Sequence, residues 1–140
     1  MTELLRTPHM VFTRDARLHV VRVTRTTLPI TCAEDYEKIL LSLHVVLPES
    51  ERARYALLAE VREVPMNNDP GFEKLMSRYL DRLFGAFARR AVLVKTAVGM
   101  LHVGRTSRET GLRATQVFTN EREAMAYLAK ANLGPTNRSA

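Results

Sequence analysis

The sequence predicts an α/β fold: a single mixed sheet, an N-terminal antiparallel hairpin continued by a parallel β-α-β-α-β unit, with helices packed on it. Three observations predict this. Two β-branched segments near the start are separated by only two residues. Two short apolar runs, Tyr55 to Val61 and Ala91 to Val94, have the length and continuity of strands covered on both faces. Between those runs, apolar residues recur at the 3.6-residue period of an amphipathic helix.

The hairpin comprises His9 to Arg14 and Arg17 to Thr24, linked at Asp15-Ala16. So short a link requires antiparallel strands. Arg14, Arg17, His19 and Arg22 charge its exposed positions, as suits a sheet edge that must resist pairing. After Thr26-Thr27-Leu28-Pro29, Thr31 and Glu34 have capping-box spacing and start a helix. Tyr36, Ile39, Leu40, Leu43 and Leu47 form its buried stripe, and Pro48 closes it. Glu49 to Arg54 reads as a charged connection.

The strand Tyr55 to Val61 then runs into a polar loop, Arg62 to Pro70. Asp69-Pro70 starts the next helix, because proline at the first helical position lacks an amide hydrogen that the first turn cannot use. Phe72, Leu75, Met76, Tyr79, Leu80, Leu83, Phe84 and Phe87 make that helix's apolar face. Ala91 to Lys95 is the following strand. Ala97 to Thr110 fits a short helix ending at Gly111, with a strand over Met100 to Val103 as the alternative. Arg113 to Thr119 is the last strand, and Asn120 caps a final helix through Ala131 with Met125 and Leu128 inward. Residues 1–8 read as an N-terminal tail, 9–131 as one domain and 132–140 as a disordered C-terminal tail.

Charge is unevenly spread. Residues 1–69 hold nine basic and ten acidic side chains, whereas residues 70–140 hold twelve and five. The overall net charge is +6, and 17 of the 21 basic residues are arginine, which points to compositional bias as much as to an anionic partner. One cysteine, Cys32, excludes an internal disulfide and suits a reducing compartment. The first ten residues lack a leader's apolar core, and no run approaches the ~20 apolar residues of a membrane span. These features predict a cytoplasmic domain.

No cofactor, metal site or catalytic set is expected. His9, His19, His44 and His102 lack ligand spacing, and neither a dinucleotide nor a phosphate-loop glycine motif occurs. Cys32 in a helical first turn has no base beside it by sequence and reads as a semi-buried filler.

The candidate contact surface begins where the strand at Val61 hands over to the loop, the position at which open α/β sheets bind ligands. Arg62, Glu63, Asn67, Asn68 and Asp69 lie on that loop, and Lys95 follows the adjacent parallel strand. Arg62 and Lys95 could converge on an anion or acidic side chain; alternatively Arg62 pairs with Glu63 or Asp69 and orders the loop. Asp69 is more simply a helix cap. Lys74, Arg78 and Arg82 make an i, i+4, i+8 basic stripe, which reads either as a solvated face or, with Arg89, Arg90, Arg105, Arg108 and Arg113, as a positive partner site.

The order of elements resembles the STAS domain, and within it the sporulation-antagonist-like (SpoIIAA-like) branch of small bacterial proteins. The resemblance rests on Leu57-Leu58-Ala59-Glu60-Val61-Arg62, on Asn68-Asp69-Pro70 with Phe72-Glu73, and on Ala91-Val92-Leu93-Val94. Val117-Phe118-Thr119, Glu121, Glu123-Ala124 and Tyr127-Leu128 extend it. It implies a non-enzymatic regulatory module that binds another protein, a kinase-like or signalling regulator, with a homodimer compatible. The serine that anti-sigma-factor antagonists carry at the helix start is missing: no Ser or Thr lies between Val61 and Phe72. The alternative is binding of nucleic acid, anionic lipid or a small ligand through the basic second half.

Overall fold

The computed structural model describes residues 1–64, 81–96 and 115–138, with residues 130–138 as backbone alone. The fold is α/β, as the hydrophobic pattern requires: a single mixed sheet with helices packed on it. Six strands lie side by side in sequence order, β1 (Thr2–Arg6), β2 (Met10–Asp15), β3 (Val20–Arg25), β4 (Ala56–Glu60), β5 (Arg90–Leu93) and β6 (Thr115–Phe118). The β1–β2 and β2–β3 pairs are antiparallel, and the pairs from β3 through β6 are parallel. The hairpin is therefore internal: β3 starts the parallel half, and β1 rather than the hairpin forms the edge.

That edge corrects the reading of residues 1–8 as a tail. Leu4 and Leu5 pack against the core, and the β1–β2 register shifts between Glu3 and Leu5. A bulge of this kind lets two consecutive side chains meet one partner, here around Phe12, and it disguises the strand by breaking strict alternation. The hairpin turn is also longer than expected, spanning residues 16–19. Asp15 Oδ1 accepts from the backbone N–H groups of Arg17 and Leu18 at 3.0 and 3.2 Å, and His19 takes φ 54°.

The helix after β3, α1 (Ala33–Val46), buries Tyr36, Ile39, Leu40 and Leu43. Its N-cap is Cys32, without a side-chain cap bond, so the expected Thr31–Glu34 capping box does not set the start. Cys32 is exposed rather than semi-buried. The connection from Glu49 contains a helical turn, α2 (Glu49–Arg52), capped by Pro48. Residues 81–84 are helical, where the helix expected before β5 should end, and the rest of that expected helix lies outside the described residues; the helix stops at 84, and Phe87 is buried from the bend that follows. The last helix, α3 (Glu121–Arg138), is started by Asn120, whose Oδ1 accepts from the Glu123 N–H at 3.0 Å. Its backbone continues to Arg138, so the segment read as a tail is helical for most of its length.

Alternation of side chains along the strands divides the core in two. One face carries Phe12, Val21, Val23, Leu57 and Ala59 and is covered by α1 and by Leu83, Phe84 and Phe87. The opposite face carries Val20, Ala56, Leu58, Ala91 and Leu93 and is covered by Ala124 and Leu128 of α3. All five residues of β4 are buried, as its unbroken apolar run demands, and the fifth is Glu60.

Candidate docking surface at the carboxyl ends of the strands

Glu60 ends the most buried strand with a carboxylate, and the chain must compensate it. Glu60 is 7% exposed and lies on the α3 face, because Leu58 two residues earlier does. Burial would push its carboxyl up, but hydrogen bonds from Arg62 and the charges of Arg62 and Arg22 outweigh burial and hold it below the ordinary carboxylate range. Arg62 donates its backbone N–H to Glu60 Oε2 at 2.8 Å and its Nε–H to Oε1 at 2.7 Å. Val64 donates its backbone N–H to the Val61 carbonyl, closing the turn that begins the loop.

Two further residues complete the cluster. Arg22, on β3 and on the same face, donates from Nη2 to Glu121 Oε1 at 2.9 Å and lies 3.9 Å from Glu60 Oε1. Arg62 Nη2 reaches the same Glu121 oxygen at 3.4 Å. The bond and charge of Arg22 draw the Glu121 carboxyl below its usual value. Two guanidinium and two carboxylate groups thus join β3, the end of β4, the loop start and the first turn of α3. A carboxylate in a helix's first turn is also favoured by the helix dipole.

A second polar cluster occupies the same end of the sheet on the α1 face. His9 Nε2 lies 3.6 Å from Asp35 Oδ2, and Arg25 Nε donates to the His9 carbonyl at 3.3 Å. Burial lowers the affinity of Arg25 for its proton and raises that of Tyr36 for its own, with each group partly offsetting the other.

The structure separates the residues that the sequence grouped. Arg62 pairs with Glu60 and Glu121, not with Glu63, and no hydrogen bond or ion pair among the described residues joins it to Lys95. Glu63 and Lys95 are exposed. Arg82 donates to Glu37 Oε1 at 3.0 Å, tying its helix to α1 on the other face of the sheet. Asn67, Asn68, Asp69, Lys74 and Arg78 lie outside the described residues, as do Arg105, Arg108 and Arg113.

Other arginines of the basic half are structural. The Arg89 guanidinium carbon lies 4.9 Å from the centre of the Tyr127 ring, a cation–π contact. Arg90 is 6% exposed; its Nη1 donates to the carbonyls of Phe84 and Phe87 at 3.2 and 3.1 Å, and its Nε to Thr115 Oγ1 at 2.8 Å. It satisfies buried carbonyls left open where the helix stops.

Sequence reasoning missed Glu60, Arg22 and Glu121 as a unit. The one local signal was a carboxylate ending an otherwise apolar strand; Arg22 and Glu121 stand 99 residues apart and share no local pattern. Among the described residues, no three His, Cys, Asp or Glu side chains are grouped to hold a metal ion, and no helix is long and apolar enough to cross a membrane. No protein-family model, curated protein or solved structure matches the chain.

Proposed function

We propose that the protein is a non-enzymatic regulatory module that binds another protein through the carboxyl ends of its parallel strands, around Arg62, Glu63 and Lys95. The observation that carries this reading is the Arg22–Glu60–Arg62–Glu121 cluster. It is balanced in charge, so Arg62 is committed to the loop's own architecture and is a poor anchor for a free anion. What it provides is a loop start held in one conformation, with Glu63 and Lys95 exposed beside it. A preorganised polar rim loses little entropy on association, which favours recognition of a complementary protein surface. The likeness to STAS domains supports the same reading and suggests a kinase-like or signalling regulator as partner. The missing serine removes that family's phosphorylation switch from the proposal. Binding of nucleic acid or anionic lipid through the basic half is less favoured, since Arg82, Arg89 and Arg90 are engaged within the fold.

Photoactivatable side chains placed at Glu63, Lys95 and, as a control, Leu18 test the assignment in the source cell. Discrete heterologous adducts should form from positions 63 and 95, and Lys95→Glu should deplete those formed from 63. Adducts from position 18 alone, or an identical pattern from all three positions, would overturn it.

A further inference from the structure

The α1–α2 corner holds a buried cation that the docking surface does not use. Arg52, the last residue of α2, is 1% exposed. Its Nε and Nη1 are buried and have no hydrogen-bond partner among the described residues. Its Nη2 lies 3.4 Å from Nδ1 of His44, a long contact to an exposed side chain of α1. Glu49, one turn earlier, acts on Arg52 through space, yet no salt bridge to Arg52 forms among the described residues. Buried donors without partners forfeit their bonds to water and gain nothing in return.

The shape of the open donor set defines what would satisfy it. A guanidinium carries five N–H groups in a planar fork matched to carboxylate and phosphate oxygens. Its two side edges, Nε with Nη2 and Nη1 with Nη2, share one nitrogen. A single contact from Nη2 to His44 occupies one edge at most, so a complete edge remains. The geometry points to a site for a small oxyanion, carboxylate or phosphate, held bidentately by Arg52 with His44 beside it. The exposed His44 ring lies against Nη2 through a long contact only, so it can give up that contact and donate to an anion held by Arg52.

The test follows the Arg52 Nε–H and His44 ring signals by ¹H–¹⁵N NMR while inorganic phosphate, acetate or chloride is added at matched ionic strength. Saturable shifts at both residues with phosphate or acetate, and not with chloride, are expected; response to phosphate alone marks a phosphate site, and response to acetate marks a carboxylate site. Arg52→Gln should weaken binding about tenfold or more, the loss expected for charge-assisted bonds. His44→Ala leaves the guanidinium in place and should weaken binding less, which keeps the test informative should Arg52→Gln fail to fold. Glu49→Gln should tighten binding by removing the nearest competing carboxylate. Chloride shifts equal to those of the oxyanions overturn the proposal. So does an Arg52 Nε–H signal already locked in anion-free protein and released by Glu49→Gln, since Glu49 would then be the partner.

Discussion

Arg62 binds both carboxylate oxygens of Glu60, one through its backbone N–H at 2.8 Å and the other through Nε–H at 2.7 Å. One residue thereby neutralises a buried charge and fixes the chain direction immediately after β4. Arg62→Ala keeps the backbone bond and removes the guanidinium, leaving Arg22 as the nearest described cation, 3.9 Å from the carboxylate. The expected cost is about 1–2 kcal/mol by urea denaturation, the lower figure at high salt because the Arg62 head is partly solvated. An unchanged midpoint at low salt would show that the cluster is not formed in solution.

Acid should weaken the same cluster. The Glu60 and Glu121 carboxyls are held below their ordinary values, for Glu60 against burial and chiefly by Arg62, for Glu121 chiefly by Arg22. A depressed folded value contributes stability above the unfolded pKa of about 4.3, and that contribution disappears as pH falls through the folded value. Glu60→Gln and Glu121→Gln should therefore flatten the acid limb of the stability profile below about pH 5. Urea midpoints across that range, for wild type and both variants, check this; parallel acid limbs would contradict it.

Arg90 makes a sharper demand. Its fork gathers the buried carbonyls of Phe84 and Phe87 and the half-buried Thr115 hydroxyl from β6. Arg90→Met should cost roughly 2–4 kcal/mol, because the carbonyls lose a charged donor and keep their burial. Arg90→Lys should recover only part of that, since an ammonium is not a planar fork. Equal stability of the Lys variant and wild type would show that charge alone suffices.

Much of this fold was legible because burial writes itself into periodicity. The stripe Tyr36, Ile39, Leu40 and Leu43 defined α1, and the unbroken run from Tyr55 defined β4. Asn120 was readable as the cap of α3 because capping is local chemistry. What escaped was non-local or irregular. The bulge at Leu4 hides β1, and Arg52 stands in a charged string that gives no hint of its burial. At the candidate surface, Arg62 and Glu63 were rightly placed after a strand end. The partners of Arg62, however, come from the strand before it and from a helix 59 residues later, which sequence spacing does not reveal.

The edge strand supplies the remaining prediction. Leu4 and Leu5 pack against the cluster that contains Met10, Phe12 and the α1 stripe, so β1 is part of the core's wall rather than an appendage. Removing residues 1–6 uncovers that apolar surface and leaves β2, a strand with buried Met10 and Phe12, as a new open edge. Such an edge is a template for pairing between chains. The truncated protein should lose about 2–4 kcal/mol, on the scale of deleting two half-buried leucine side chains. It should also associate in a concentration-dependent way, visible by light scattering, that the untruncated chain does not show. Slow exchange of the β2 amides in the intact chain, lost on truncation, would tie both effects to the β1–β2 ladder. Unchanged stability and unchanged exchange would return residues 1–6 to the status of a tail.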